Sequence, residues 1–146
     1  MKRLIFILLI LLAIQSCNDD DIICGGVCSY DSIPGVAFIR QVVPDTLFQN
    51  ICDNVVFVYF DFIPDSASAL ENYKFPNWPD TDRRLLVADG KNPPASWIEA
   101  LGLTEGTSHP CIRLEENQGT CTPVLHILPD IDYTTWQEYC NNPDSQ

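Results

Sequence analysis

Positive charge is scarce in this chain: 8 Lys+Arg stand against 20 Asp+Glu, a formal net charge of −12. Such a surface repels phosphate backbones and anionic headgroups, which argues against nucleic acid as a partner and against membrane adhesion through charge. Catalytic signatures are missing too. There is no Gly-x-Ser-x-Gly elbow, no phosphate-cradling glycine loop and no His-Glu-x-x-His pair, so serine-hydrolase, nucleotide and zincin chemistry lack their usual carriers. Histidine occurs only at His109 and His126, and no paired short-spaced cysteine knuckles accompany them, which leaves a zinc site poorly supplied. No internal repeat is visible. The apolar run from Leu4 to Ile14 is too short to cross the hydrocarbon core of a bilayer.

That run instead completes an export signal. Lys2 and Arg3 precede it, Gln15-Ser16 end it, and Cys17 follows at once. Ile14-Gln15-Ser16-Cys17 resembles the lipobox of bacterial lipoproteins, whose signal is cut before a cysteine that then carries a diacylglycerol on its sulfur. The resemblance implies a signal peptide over residues 1–16 and lipidation, with palmitate-type acyl chains, at Cys17. More than one acyl chain suffices for stable attachment where a single chain would be marginal. The following Asn18-Asp19-Asp20-Asp21 resembles the acidic signal that sends lipoproteins of Bacteroidota-type bacteria to the outer face of the outer membrane. The expected location is therefore the outer membrane, lipid-anchored, at the cell surface. Loss of Lys2 and Arg3 with the signal moves the net charge from −12 to −14.

Seven cysteines become six once Cys17 is lipidated: Cys24, Cys28, Cys52, Cys111, Cys121 and Cys140. An even number in an exported chain points to three disulfides, with fifteen connectivities open. Cys24-Gly-Gly-Val-Cys28 has three intervening residues, not the two of a thioredoxin-like motif, so a structural role is expected.

The organisation expected is a lipidated acidic tether and Cys loop over 17–33, then one β domain over 34–146, the right length for a single small domain. Val36 to Val43 reads as a strand opened by Pro34-Gly35 and closed by Pro44. Asn54 to Phe62 reads as a second, central strand apolar on both faces. Residues 66–83 form a long polar loop with one helical turn. Leu85 to Ala88 is a short strand before the Asp89-Gly90 turn, and Ser96 opens a helix of little more than a turn that Gly102 stops. His109 to Glu115 and Cys121 to Leu128 form a hairpin about Glu116-Asn117-Gln118-Gly119. Thr135-Trp136-Gln137-Glu138 starts a second short helix that Cys140 ties down.

These elements predict an all-β, disulfide-stapled sandwich with one or two very short helices. Pro34-Gly35-Val36, Phe60-Asp61-Phe62-Ile63-Pro64, Asp89-Gly90 and Gly119-Thr120-Cys121-Thr122-Pro123 resemble pieces of small immunoglobulin-like lipoproteins. That resemblance implies an immunoglobulin-like fold and carries no catalytic motif. For function, the loop holding Tyr73, Phe75, Trp78, Asp80 and Asp82 mixes aromatic faces with carboxylates, as a sugar or protein partner requires, while small domains also use such aromatics to close their cores. The expectation is a non-catalytic binding or accessory module, partnered by an outer-membrane protein or a polysaccharide, with no resident cofactor. The competing classes are a small hydrolase using His109, His126 or the pairs Asp61/Asp65, Asp80/Asp82 and Asp130/Asp132, and a glycan-binding module with calcium on Asp80/Asp82 or Asp130/Asp132.

Overall fold

A computed structural model describes residues 27–46 and 54–140. The expected signal peptide over 1–16, Cys17, most of the expected tether, Cys24 and Cys52 lie outside the described residues.

Five antiparallel strands form one sheet: β1 (Ser29–Pro44), β2 (Val56–Pro64), β3 (Arg83–Arg84), β4 (Ser108–Gln118) and β5 (Val124–Ile127), in the order β3-β2-β1-β4-β5. Period-2 alternation sends Val56, Val58, Phe60 and Phe62 to a buried face and Phe57, Tyr59 and Asp61 to a half-buried one. The central strand is β1, not β2. On the second face of β2 the Phe57 ring is covered by the Arg84 side chain and not by another layer, as described below.

The pairing of β1 with β2 runs from Gly35 opposite Pro64 to Pro44 opposite Val56, with a β-bulge between Ile39 and Gln41. Gly35 is there because of close approach: a Cβ would collide with the Ile63 carbonyl and the Phe62 ring. On its other edge β1 pairs with β4, Ile33 opposite Arg113, Gly35 opposite Cys111 and Ala37 opposite His109. The hairpin of β4 and β5 sets Arg113 opposite His126.

Among the described residues there is one sheet, and no second sheet faces it. Too little of the chain is left in strands to build another, since β3 has two residues and β5 four. The inner face is instead covered by α1 (Ala95–Ala100), α2 (Trp136–Cys140), the 3-10 turns Ala67–Asn72 and Ala88–Gly90, and irregular segments. Pro94, whose φ of −65° already suits a helix entry, precedes α1 without any side-chain cap, so the expected Ser96 cap is displaced into the helix. Gly102, at φ +68°, ends it as expected. Trp97 and Ile98 are buried under α1 and join Ile39, Val58, Phe60, Leu103, Leu128 and Trp136 in the core. The expected strand over Leu85 to Ala88 is also displaced: pairing ends at Arg84, and the chain leaves the edge so that Leu85 and Val87 enter the core.

Cys28 and Cys121 are bonded, their Cα atoms 6.3 Å apart. Cys140 is also disulfide-bonded. Cys111 corrects the three-bridge expectation, being a free and buried thiol. Its inward position in β4 opposite Gly35 makes it a core residue, with no cysteine across the strand pair.

Candidate functional site

The inner face of the sheet is apolar at one end and charged at the other. Alternation along β4 points Cys111, Arg113 and Glu115 inward together. Arg113 and Glu115 are buried, and Arg113 Nε and Nη2 donate to Glu115 Oε1 at 2.9 and 2.8 Å. The rest of the guanidinium grips the segment 73–82. Nη2 donates to the Phe75 carbonyl at 2.9 Å, Nη1 to the Trp78 carbonyl at 3.4 Å and to Asp80 Oδ1, and its Cζ lies 4.1 Å from the Tyr73 ring centroid. Glu115 Oε2 accepts the Lys74 backbone N–H at 2.8 Å. Two buried side chains on one strand thus fasten a ten-residue loop through its backbone.

The sequence-predicted binding loop is therefore a cover. Tyr73 lies against Arg113, Trp78 has Arg83 5.9 Å from its ring centroid, and both are half-buried, as is Phe75. Asp80 turns inward to Arg113 and to His126 Nε2 at 3.3 Å. Asp82 remains exposed, and its N–H donates to Asp61 Oδ1 at 3.0 Å. Burial pushes the Asp80 carboxyl up, but its hydrogen bonds to His126 and Arg113 and the Arg113 charge outweigh this, so the group ends below the usual carboxylate range. Burial first, and the Asp80 carboxylate second, push the Tyr73 phenol well up. Burial likewise pushes the Cys111 thiol up to about 12, which removes its thiolate at neutral pH.

The other candidate residues are dispersed. His126 packs against Phe60 and Phe62, with ring centroids 6.0 and 5.3 Å away. His109 holds Thr107 Oγ1 at 2.9 Å and sits four residues along β4 from the register partner of His126, about 14 Å away at ~3.4 Å per residue. The two histidines thus belong to different neighbourhoods. Asp61 is on the outer face, and Asp65 is exposed past the end of β2. Asp132 accepts from the Thr134 N–H and hydroxyl at 2.9 and 2.7 Å, a local turn whose hydrogen bonds lower its carboxyl, and Asp130 is exposed. Among the described residues no three His, Cys, Asp or Glu side chains converge on a metal position.

An arrangement that sequence reasoning missed lies on the outer face. Arg40 alternates to this side of β1 and the bulge turns Gln41 to it as well; the Arg40 Cζ is 5.8 Å from the Phe38 ring centroid and its Nε 3.5 Å from Asp61 Oδ2. Phe57 and Tyr59 stack with ring centroids 6.2 Å apart. Arg84, opposite Tyr59 in the β2–β3 register, sets its Cζ 4.6 Å above Phe57. Asn92 Oδ1 accepts from Arg84 Nε at 3.0 Å and from Nη2, and its own amide donates to the buried Asp45. Arg40, Gln41, Tyr59 and Arg84 consequently run in one row across β1, β2 and β3, with Phe38 and Phe57 on either side. The available signal was the Phe-x-Tyr-x-Asp alternation of β2 beside Arg83-Arg84, a pattern of an open amphipathic face. Toward β5 the same face becomes aliphatic, with Leu125 and Ile127 each 37% exposed.

No family model, no curated protein and no solved structure matches this chain.

Proposed function

We propose that this chain is a surface-exposed outer-membrane lipoprotein, anchored through Cys17, whose β domain is a non-catalytic binding or accessory module. On this reading the immunoglobulin-like likeness of its sequence pieces reflects shared ancestry with small lipoproteins of that kind. The observation that carries the proposal is the division between the two faces of the sheet. On the inner face, the groups best suited to chemistry are committed to fastening the loop 73–82: Arg113 to Glu115 and Asp80, and Asp80 to His126. The outer face presents Phe38, Phe57 and Tyr59 with two exposed arginines, the mixture of aromatic and guanidinium groups enriched at binding surfaces. A tether ending in lipid would leave such a face accessible to the medium.

The test combines anchoring with binding. Cells expressing the chain are fed an alkyne analogue of palmitate, then treated with an impermeant crosslinker. The expected result is acyl labelling that Cys17→Ala abolishes, and a crosslinked species that Tyr59→Leu weakens while Lys74→Gln leaves it unchanged. Absence of acyl labelling removes the lipoprotein reading. A crosslinking pattern insensitive to the outer face removes that face as the binding surface.

A further inference from the structure

We propose that the outer face of β1, β2 and β3 is a binding site for a carboxylate-bearing polysaccharide, a chain of uronic acid residues. This rests on the binding-module reading above and names the ligand class of the same face.

The first support is the aromatic floor. The Phe57 and Tyr59 rings lie 26° from parallel on one strand, with Phe38 on the next strand. The Arg40 and Arg84 guanidiniums lie over Phe38 and Phe57, so the half-buried Tyr59 ring between them, with little conformational freedom to lose, is the apolar surface left to a ligand. Such a floor suits the C–H face of a sugar ring, which is apolar at its centre and hydroxylated at its rim.

The second support is where the cations are. Three of the described Lys and Arg residues are exposed: Arg40, Lys74 and Arg84. Lys74 is paired with Asp31 beside the loop. The other two are both on the aromatic floor, in a chain whose overall charge is −12. Asp61 offsets Arg40 in part, whereas Arg84 is held by a neutral amide and keeps its full charge. Because Asn92 takes both Nε and Nη2 of Arg84, Nη1 is left out of that contact, and a planar guanidinium with a fixed edge is a good partner for a carboxylate. Arg40 and Arg84 flank β2 on neighbouring strands, about 10 Å apart at two strand spacings, so one polymer lying across the strands meets both.

The third support is the bulge. Arg40 faces outward by the ordinary alternation after Ile39, and the extra residue turns Gln41 to the same face beside it, opposite Tyr59; bulges that redirect a side chain gather at binding sites. The negative charge elsewhere does not forbid a polyanion at this spot, because repulsion is screened beyond about 8 Å at physiological salt. It does mean that non-specific attraction to a polyanion is not expected.

The experiment is affinity electrophoresis of the full lipidated chain in detergent through gels containing polygalacturonate, with dextran gels as the neutral control. Polygalacturonate should retard the wild type and dextran should not. Arg84→Gln should weaken retardation at least tenfold, and Tyr59→Leu, which keeps an apolar side chain at that position, should weaken it severalfold. Lys74→Gln should have no effect, and raised salt should weaken binding. Matching thermal midpoints establish that the variants are folded, and Arg84, being exposed, is the safest position to alter. No retardation, equal retardation by dextran, or retardation indifferent to Arg84→Gln overturns the uronate assignment. If it fails while the cell-surface crosslink still depends on Tyr59, the ligand class falls and the binding-module reading stands. Loss of both removes the two together.

Discussion

Arg113 is the residue on which the inner face turns. Its side chain is fully buried, and its charge is met by Glu115 on the same strand and Asp80 33 positions earlier. Removing one member of such a set leaves the others buried and uncompensated, so Arg113→Ala should destabilise the fold by about 3–5 kcal/mol in urea titrations. Replacing both Arg113 and Glu115 by apolar residues should cost clearly less. Asp80 makes the stability pH-dependent. Its carboxyl is depressed in the folded state, so its contribution is complete above the unfolded value of about 3.9 and is lost as pH falls through the folded value. Asp80→Asn should therefore be less stable than the wild type at neutral pH, and the two stability curves should converge in acid, as followed by tryptophan fluorescence. Cys111 should resist iodoacetamide at neutral pH and react once the chain is unfolded, because burial raises its pKa to about 12 and the thiolate is the attacking species. Residue type alone gave no sign of these roles, since an arginine in an alternating strand reads as a solvent-facing residue until the loop above it is known.

At the scale of elements, legibility follows the range of the interactions. The alternation of β2 and the Pro44 stop of β1 are local and stand where those patterns put them, whereas Pro34-Gly35, expected to open β1, lies inside it, the strand starting at Ser29 in the expected tether. The pairing of β4 with β5 and the stop of α1 at Gly102 were equally readable, but the turn was not: β4 runs on through residues 116–118 to pair with β1, and β5 begins only at Val124. Nor was the position of β2 in the sheet. Apolar residues on two faces describe a strand between two layers as well as one whose second face carries an arginine over an aromatic ring, and only the placement of Arg84 over Phe57 separates these cases. Gly35 shows the same limit, because its need for no side chain comes from β2 and not from its own turn. Gly35→Ala should push β1 from β2 and cost about 1–3 kcal/mol, the range for overpacking, as measured by chemical denaturation.

For the whole molecule, the Cys28–Cys121 bond joins the start of β1 to the turn after β4 across a separation of 93 residues. Linking positions so distant restricts the unfolded chain, and the Cys28→Ser/Cys121→Ser double variant should lose about 2–4 kcal/mol, measured by thermal and urea unfolding. One sheet covered on one side by short helices and loops leaves few large apolar groups to spare, which is why the aromatic loop 73–82 closes the inner face instead of standing free as a binding loop.

The sequence by itself determined that this chain is built mainly of antiparallel strands and where its first helix stops, because period-2 burial, proline geometry and glycine conformations act over a few residues. Only the tertiary structure decided that one sheet would serve, that Cys111 would remain a thiol, that the acidic aromatic loop would be clamped inward and that the open aromatic face would carry the exposed arginines. Those outcomes depend on groups tens of residues apart, such as Arg113 with Asp80 and Arg40 with Asp61, whose meeting is set by strand order and register. Strand order and register come from the summed packing of the whole core, and no local pattern encodes that sum.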